Sequence, residues 1–549
     1  MPAWLSRLNE QVPLRYLSWL ACGVGFLLAA LTWVVSGQGA LATLAFGALV
    51  LTGWHDVRQQ PRAVLRNYPV IGHLRFLLEF IRPELRQYFL ESDREAVPFS
   101  RQQRSLVYQR AKGEPDKRPF GTQMDVGAQG YEWINHSIAP TELAGHDFRV
   151  TIGSAPSCTQ PYSASVFNIS AMSFGALSAN AILALNAGAR AGGFAHDTGE
   201  GSISRYHREH GGDLIWEIGS GYFGCRHDDG SFSEQRFAEN ARDPQVKLIE
   251  LKLSQGAKPG HGGVLPGAKV TPEIAAARGV PAGVDCVSPA RHGAFATPIE
   301  MLQFLERLRT LSGGKPVGFK LCIGHPWEWF AIAKAMRETQ LLPDFIVVDG
   351  AEGGTGAAPL EFTDHVGAPL QEGLLLVHNT LTGLGLRDRI QLGCAGKVVS
   401  AFDIARLMAL GADWCNAARG FMFALGCIQA QNCHTGHCPT GVTTQDPLRQ
   451  RALVVPSKAE RVRQFHDNTL KALKELVQAA GLNHPQEISA AHIVRRIADH
   501  EVKLLANLLP FVQPGALLAA ERGEADWPHQ VFRLYWPRAS AQSFAAVPP

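Results

Sequence analysis

Three cysteines in the run 426-GCIQAQNCHTGHCPTGVTTQDP-447 have the residue type and spacing for metal chemistry. Cys427, Cys433 and Cys438 stand as C-x5-C-x4-C, and Pro439 fixes the turn after the last of them. Thiolates on one irregular segment can converge on an iron–sulfur cluster, and a cubane lacking one iron needs only three protein ligands. A structural zinc site more often pairs cysteines two to four residues apart, although His434 and His437 could complete such a shell. Plain buried thiols are the third reading. The other seven of the ten cysteines are scattered, which points to a reducing compartment and away from a disulfide framework.

A second set of residues could bind a redox partner for that cluster. Lys252, Lys320 and Asp349 each end an apolar run, and burying an unpaired ammonium there would be costly, so the lysines are expected to face an anion or an electron-rich ring. In 350-GAEGGTGAAPL-360, Gly350, Gly353, Gly354 and Gly356 let the backbone approach a ligand closely. The loops 393-GCAGKVVSAFD-403 and 419-RGFMFALGC-427 each follow a strand-like run and open a helix, with Arg419 as a fixed charge. Barrels often bind phosphate at such loops. Together they predict a flavin mononucleotide (FMN) site, and a flavin can link one-electron and two-electron steps.

The elements that must position these residues follow from periodicity. Short apolar runs at 166–172, 214–219, 248–253, 317–322, 345–350, 390–396 and 415–420 alternate with helical patterns such as 179–192, 298–311 and 400–411. That alternation predicts a parallel α/β fold, a (β/α)8 barrel over about 151–455, with a doubly wound sheet as the competing architecture. Active-site residues then belong at the C-terminal strand ends. The 549 residues are 46% hydrophobic and 18% charged with a net charge of +3, so a large core is available and nothing points to nucleic acid.

The N-terminus has a different composition. Tyr16 to Trp54 contains no Asp, Glu, Lys, Arg or His, long enough for two membrane spans joined at Ser36-Gly37-Gln38-Gly39. Arg7 and Arg15 precede the run and Arg58, Arg62 and Arg66 follow it, which predicts a hairpin over 1–55 with both ends in the cytoplasm. A signal peptide and a buried soluble hairpin are the alternatives. Residues 56–150 read as a basic juxtamembrane segment and linker, with helical spacing of apolar residues around 74-LRFLLEFI-81 that suits either anionic headgroups or solvent. Residues 456–549 read as a helical extension, amphipathic over 458–481, and a tail that is either a docking arm or disordered.

From about 150 to 485 the chain resembles the flavin-binding synthase domain of bacterial glutamate synthase. The matching residues are 171-AMSFGALS-178, 256-GAKPGHGGVLPG-267, 353-GGTGAAPL-360 and the cysteine run. The resemblance implies a β/α barrel carrying FMN and a 3Fe–4S cluster, which converts 2-oxoglutarate and ammonia to glutamate by reducing 2-iminoglutarate. It makes Cys427, Cys433 and Cys438 the cluster ligands. It sets Met172 and Ser173 beside the flavin, Lys320 near its pyrimidine side, and the loops around Gly396 and Gly420 at its phosphate. Lys252, Lys258 and Arg278 match the cations around the oxo acid, where charge-assisted bonds to a dicarboxylate are needed.

Three departures mark the substrate pocket. Val264 stands where the family has glutamine, His261 where it has glutamate, and Asn180 replaces an acidic residue. Valine cannot hydrogen-bond a carboxylate or imine, so a different imine, oxo acid or amine competes with 2-oxoglutarate, as does a non-catalytic electron-relay role. The chain begins Met1-Pro2-Ala3 without the family's cysteine glutaminase, so ammonia is expected free or from a separate glutaminase subunit. No G-x-G-x-x-G joins strand to helix, so electrons are expected from a ferredoxin, an NAD(P)H-oxidising subunit or a membrane carrier. The expected location is the inner membrane, catalytic domain facing the cytoplasm.

Overall fold

The uncharged N-terminal run folds as two helices in the computed structural model, which describes residues 14–92 and 97–548. These are α1 (Leu17–Ser36) and α2 (Ala40–Arg58), and Arg7 lies outside the described residues. Gly37 and Gly39 both take positive φ (70° and 101°), the conformation that lets the chain reverse in three residues. The helices pack antiparallel: a Cβ on Gly53 would lie 2.2 Å from Trp19, and Phe46 fills the space beside Gly25. Both are long and apolar enough to cross a membrane. A third helix, α3 (Gly72–Leu85), completes this first compact unit, residues 1–97.

The second unit, residues 98–549, is built on eight parallel strands that close into a barrel. In chain order they are β1 (Phe167–Ile169), β2 (His196–Asp197), β3 (Leu214–Ile218), β4 (Val246–Lys252), β5 (Val317–Leu321), β6 (Phe345–Asp349), β7 (Gln391–Ala395) and β8 (Trp414–Ala417). Each pairs with its sequence neighbour, and β8 returns to β1 through Cys415↔Phe167, Asn416↔Asn168 and Ala417↔Ile169. Closure settles the choice against a doubly wound sheet. Seven strands coincide with the apolar runs; β2 is two residues long and leaves no periodicity to read.

Helix α4 (Arg101–Lys112) precedes the barrel. Outside the strands lie α5 (Ala179–Gly192), α6 (Pro298–Leu311), α7 (Pro326–Thr339), α8 (Leu370–Gly383), α9 (Ala401–Ala409) and α10 (Arg419–Leu425), and α11 (Val455–Ala479) follows. Their starts are encoded locally. The Ser178 hydroxyl accepts from the Ala181 N–H, while Thr297 with Glu300 and Ser400 with Asp403 form reciprocal capping boxes.

The interior is layered by the strands' period of two. At the N-terminal end, Ala195, Ile215, Leu248, Phe345, Val347 and Trp414 pack against Val150, Ile152, Tyr162 and Ala164, from the antiparallel hairpin Arg149–Ile152/Tyr162–Ser165 that plugs the barrel floor. Two residues along each strand, the same inward face carries Asp197, Glu217, Glu250, Asp349 and Asn416. One apolar layer and one polar layer therefore follow from strand register alone.

The chain divides at 97/98 and not at 150: Val107 and Ala111 of α4 are buried, and the Tyr108 hydroxyl donates to the Cys427 carbonyl at 2.6 Å. The C-terminal extension is not wholly helical, since Ile493–Ala498 and Glu501–Leu504 form an antiparallel sheet with Glu132–Ile134. Residues 530–539 dock on α7, where Phe532 stacks on Phe330 and Lys334 donates to the Trp536 and Ala539 carbonyls.

Candidate functional site

Lys320, 3% exposed, projects from β5 into the polar layer, donates to Glu217 and forms an ion pair with Glu250 at 2.9 Å, with Asp197 Oδ2 at 3.9 Å. Burial alone would strip its proton, but Glu217, Glu250 and Asp197 overcome this and hold its pKa well above the ordinary value. Burial raises Asp197 and Glu250, and each also feels its acidic neighbours. Among the described residues, Asp197, Glu217 and Glu250 are the one group of three acidic, His or Cys side chains whose ligand atoms all lie within 4.8 Å of one another. The Lys320 ammonium supplies the cation they share. Beside them, the Asn416 amide oxygen is buried without a hydrogen-bond partner, on the same strand face as inward-pointing Trp414. Both Glu250 carboxylate oxygens are likewise buried without a hydrogen-bond partner, so this layer keeps acceptor capacity that the protein itself does not fill.

The segment between β4 and α6, residues 253–297, carries the next set. Gly256 crosses the loop after β6 so closely that a Cβ there would stand 1.8 Å from the Gly350 carbonyl, and its N–H donates to Asp349 Oδ2 at 2.8 Å. Only glycine permits this crossing. Lys252 (9% exposed), Lys258 (3%) and Arg278 (4%) are all buried, against the usual surface preference of these types. They surround one carboxylate. Lys252 Nζ lies 2.9 Å from Glu200 Oε1, and although burial pushes Glu200 upward, Lys252, Arg278 and Lys258 together hold its pKa below the ordinary value. Lys258 donates to the Ala357 carbonyl and Arg278 to the Phe174 carbonyl, with its guanidinium over the Phe223 ring. Burial lowers Lys258, opposed by Glu200. The site thus holds anions by converging cations.

The glycine loops meet at the same end of the barrel. A Cβ on Gly354 would touch Arg419 Nη2 at 3.3 Å, so the loops after β6 and β8 adjoin, and one on Gly353 would lie 3.1 Å from the Gly350 carbonyl. Gly396 abuts Leu370, and Gly420 lies against Phe465. Met172 and Ser173 follow β1, where the backbone of Gly199 packs within van der Waals limits of both. Backbone cradle, Arg419, Lys320 and the Asn416 acceptor fit a flat anionic cofactor such as FMN.

Cys427, Cys433 and Cys438 line one small cavity with Met422, Pro439 and Thr443. Their sulfurs are not gathered within 4.8 Å of one another. Three thiols on the lining of one cavity have the donor type for an iron–sulfur cluster or a zinc ion. Gln429 and Gln431 adopt positive φ (58° and 57°), and the Gln429 amide clamps both the N–H and the carbonyl of Phe99. Burial pushes the Cys427 thiol up to about 11. Burial also pushes on Cys438, but hydrogen bonds from Thr440 and Thr443 outweigh it and bring the thiol down to about 7. Buried Lys269 donates to the Cys433 carbonyl at 2.6 Å.

The three departures occupy definite places. The Asn180 amide donates to the Gln450 and Leu453 carbonyls. Val264 sits in the short hairpin Val264–Leu265/Cys286–Val287, and His261 stands edge-on to Phe362. Sequence reasoning missed Asp197, Glu200, Glu217, Glu250 and Lys269; the signal was a charge inside an apolar run, as in 214-LIWEIG-219 and 248-LIELKL-253.

A family model described as the conserved region in glutamate synthase matches residues 150–483. The chain is 39% identical over 504 residues to a glutamate synthase large subunit-like protein, YerD, of Bacillus subtilis, covering 84% of this chain and 95% of that one. It is 34% identical over 339 residues to an archaeal-type glutamate synthase (NADPH) of Thermotoga maritima, covering 61% and 64%. To an archaeal glutamate synthase (NADPH) of Methanocaldococcus jannaschii it is 35% identical over 316 residues, covering 57% and 59%. The chain spans less than two thirds of the last two.

Proposed function

This chain belongs to the glutamate synthase family of oxidoreductases, and from that membership we propose that it reductively aminates 2-oxoglutarate, through 2-iminoglutarate, to L-glutamate with electrons from a separate donor. The observation that carries the reading is Glu200: a resident carboxylate ringed by three buried cations marks a pocket built for carboxylates.

In this reading Lys252, Lys258 and Arg278 bind the substrate's carboxylates, Arg278 with two parallel N–H donors that fix orientation. Glu200 moves between Lys252 and solvent as substrate enters, so the cations are never left uncompensated. Lys320, Asp349, Met172, Ser173, Gly353, Gly354, Gly396, Arg419 and Gly420 would hold FMN, and Cys427, Cys433 and Cys438 a 3Fe–4S cluster. When bound, the flavin supplies a hydride for an imine carbon and the cluster delivers single electrons. Lys320 sets positive charge beneath the ring site, and Gly256 lets the 253–260 loop close against Gly350 and exclude water. Ammonia enters free or from a separate glutaminase subunit. Electrons come from a donor protein or a membrane carrier; the Thermotoga maritima and Methanocaldococcus jannaschii relatives are named for NADPH. The apolar hairpin, with Arg15, Arg58, Arg62 and Arg66 at one end, would hold the enzyme at the cytoplasmic face of the inner membrane.

A second reading, a different 2-oxo acid or imine, is favoured by one observation: the Asn180 amide is spent on backbone carbonyls and Val264 offers no donor. Anaerobically reduced protein offered 2-oxoglutarate and ammonium separates the two. Flavin reoxidation with glutamate formation supports the first. Reoxidation only by other oxo acids with ammonium supports the second, and reoxidation by neither overturns both.

A further inference from the structure

Helix α3 carries a row of apolar side chains that are exposed among the described residues. Leu74 is 53% exposed, Leu77 55% and Leu78 50%, with Ile71 before them and Leu85, Tyr88 and Phe89 after. At 100° per residue Ile71, Leu74, Leu77, Leu78 and Leu85 fall on one arc of the helix, and the π-helical turn Arg86–Leu90 continues it. Arg75, Arg82 and Arg86 flank the arc on one side, and Arg75 pairs with Glu79 at 3.2 Å there. Away from the arc, Gly72 is buried against Leu65 and the Arg62 guanidinium covers the Phe76 ring, while Phe80 is 78% exposed. The bare leucine arc and the basic flank are thus adjacent, and Phe80 extends the exposed apolar surface beyond the arc.

The start of α3 is fixed at a definite level of the hairpin. Asp56, fully buried near the end of α2, accepts from the Val70 N–H at 3.0 Å and pairs with His73 Nε2 at 2.9 Å. Ser18 of α1 donates to the Pro69 carbonyl, and Arg15 to the Asn67 side chain. The same end of the hairpin carries Trp19 and Trp54, 6.4 Å apart, and Arg58 over the Trp54 ring. Tryptophan and arginine at one end of two apolar spans mark a membrane–water boundary. Asp56 and Ser18 therefore set α3 at that boundary.

We propose that α3 lies in the plane of the membrane, its Leu74–Leu77–Leu78–Leu85 face in the acyl chains and Arg75, Arg82 and Arg86 against anionic phospholipid headgroups. An apolar face flanked by arginines at headgroup depth is the composition of an interfacial helix. The inference rests on the hairpin spanning the membrane and is independent of the reaction assigned to the barrel. It makes the contact with lipid three helices wide, and Asp56 is the positioning residue that turns the chain from the span into the interface.

The test uses the full chain in phosphatidylcholine–phosphatidylglycerol proteoliposomes, with single photocrosslinking replacements Leu78→p-benzoylphenylalanine, Phe76→p-benzoylphenylalanine on the side covered by Arg62 and, as the span control, Val34→p-benzoylphenylalanine. After irradiation, mass spectrometry reads phospholipid adducts. The expected result is adduct at positions 34 and 78 and none above background at 76. Adduct at 34 with only protein–protein crosslinks, or none, at 78 overturns the proposal while leaving the anchor standing. No adduct at 34 overturns both. Lipid adduct at 78 and 76 alike would mean a helix immersed without orientation, which also contradicts it. In vesicles of phosphatidylcholine alone, the yield at 78 falls if the arginines read anionic headgroups.

Discussion

Lys320→Met tests the electrostatics of the barrel interior, because it removes the ammonium that Glu217, Glu250 and Asp197 share. At 2.9 Å from Glu250, and with an effective dielectric of about 20, one such contact is worth about 6 kcal/mol of Coulomb energy. Desolvation offsets much of it, and breaking a buried pair costs about 3–5 kcal/mol because the partner charge stays behind. At about 2.1 cal/mol/K per residue, the unit 98–549 loses about one degree of midpoint per kcal/mol, so the variant should melt about 3–5 °C lower near neutral pH. The deficit should depend on pH. Burial already holds Asp197 and Glu250 above the ordinary carboxylate range, and loss of Lys320 raises them further. A carboxyl whose folded pKa is raised costs nothing below its unfolded value, and its cost grows as pH climbs toward the folded value. The wild-type–variant gap should therefore be small near about pH 4–5 and widen toward about pH 8. Glu250→Gln in the same chain should recover part of it. Scanning calorimetry at matched flavin content reads this directly, and a gap constant across pH, or one that widens toward acid, would refute the reasoning.

Three further outcomes are expected. Cys433→Ala should abolish the iron signal in electron paramagnetic resonance while leaving flavin bound; iron retained at wild-type stoichiometry would contradict the cluster assignment. Lys269→Met removes a buried cation from the Cys433 carbonyl and should lower the cluster's midpoint potential in a spectroelectrochemical titration, since less positive charge disfavours the added electron; an unchanged potential counts against this. Arg278→Lys keeps the charge and loses the bidentate fork, so KM for the oxo acid should rise about tenfold, or about 1.4 kcal/mol, with kcat nearly unchanged; a fall in kcat alone would place Arg278 elsewhere in the reaction.

How much was legible in the chain depended on the range of the signal. Uncharged length located both hairpin helices and the turn at Gly37–Gly39, because partition into an apolar medium depends on composition and not on neighbours. Period located seven barrel strands and the starts of α5, α6 and α9, because alternation and helical spacing are local to each run. The cysteine spacing likewise put three thiols on one loop. Strand β2 escaped, being two residues long, and the place of α4 against the cysteine loop could not be read because the Phe99–Gln429 contact spans 330 residues.

What only the tertiary structure decided is which charges meet. Asp197, Glu217, Glu250 and Lys320 come from four strands, and nothing local in the chain relates one to another. Barrel closure sets them in one layer, where low dielectric makes their shared ammonium compulsory. Likewise Glu200, Lys252, Lys258 and Arg278 become one anion pocket only when Gly256 lets a loop cross Gly350. Residue types and local period are properties of the chain; mutual distance and desolvation, which turn charges into a site, arise only once the barrel has closed.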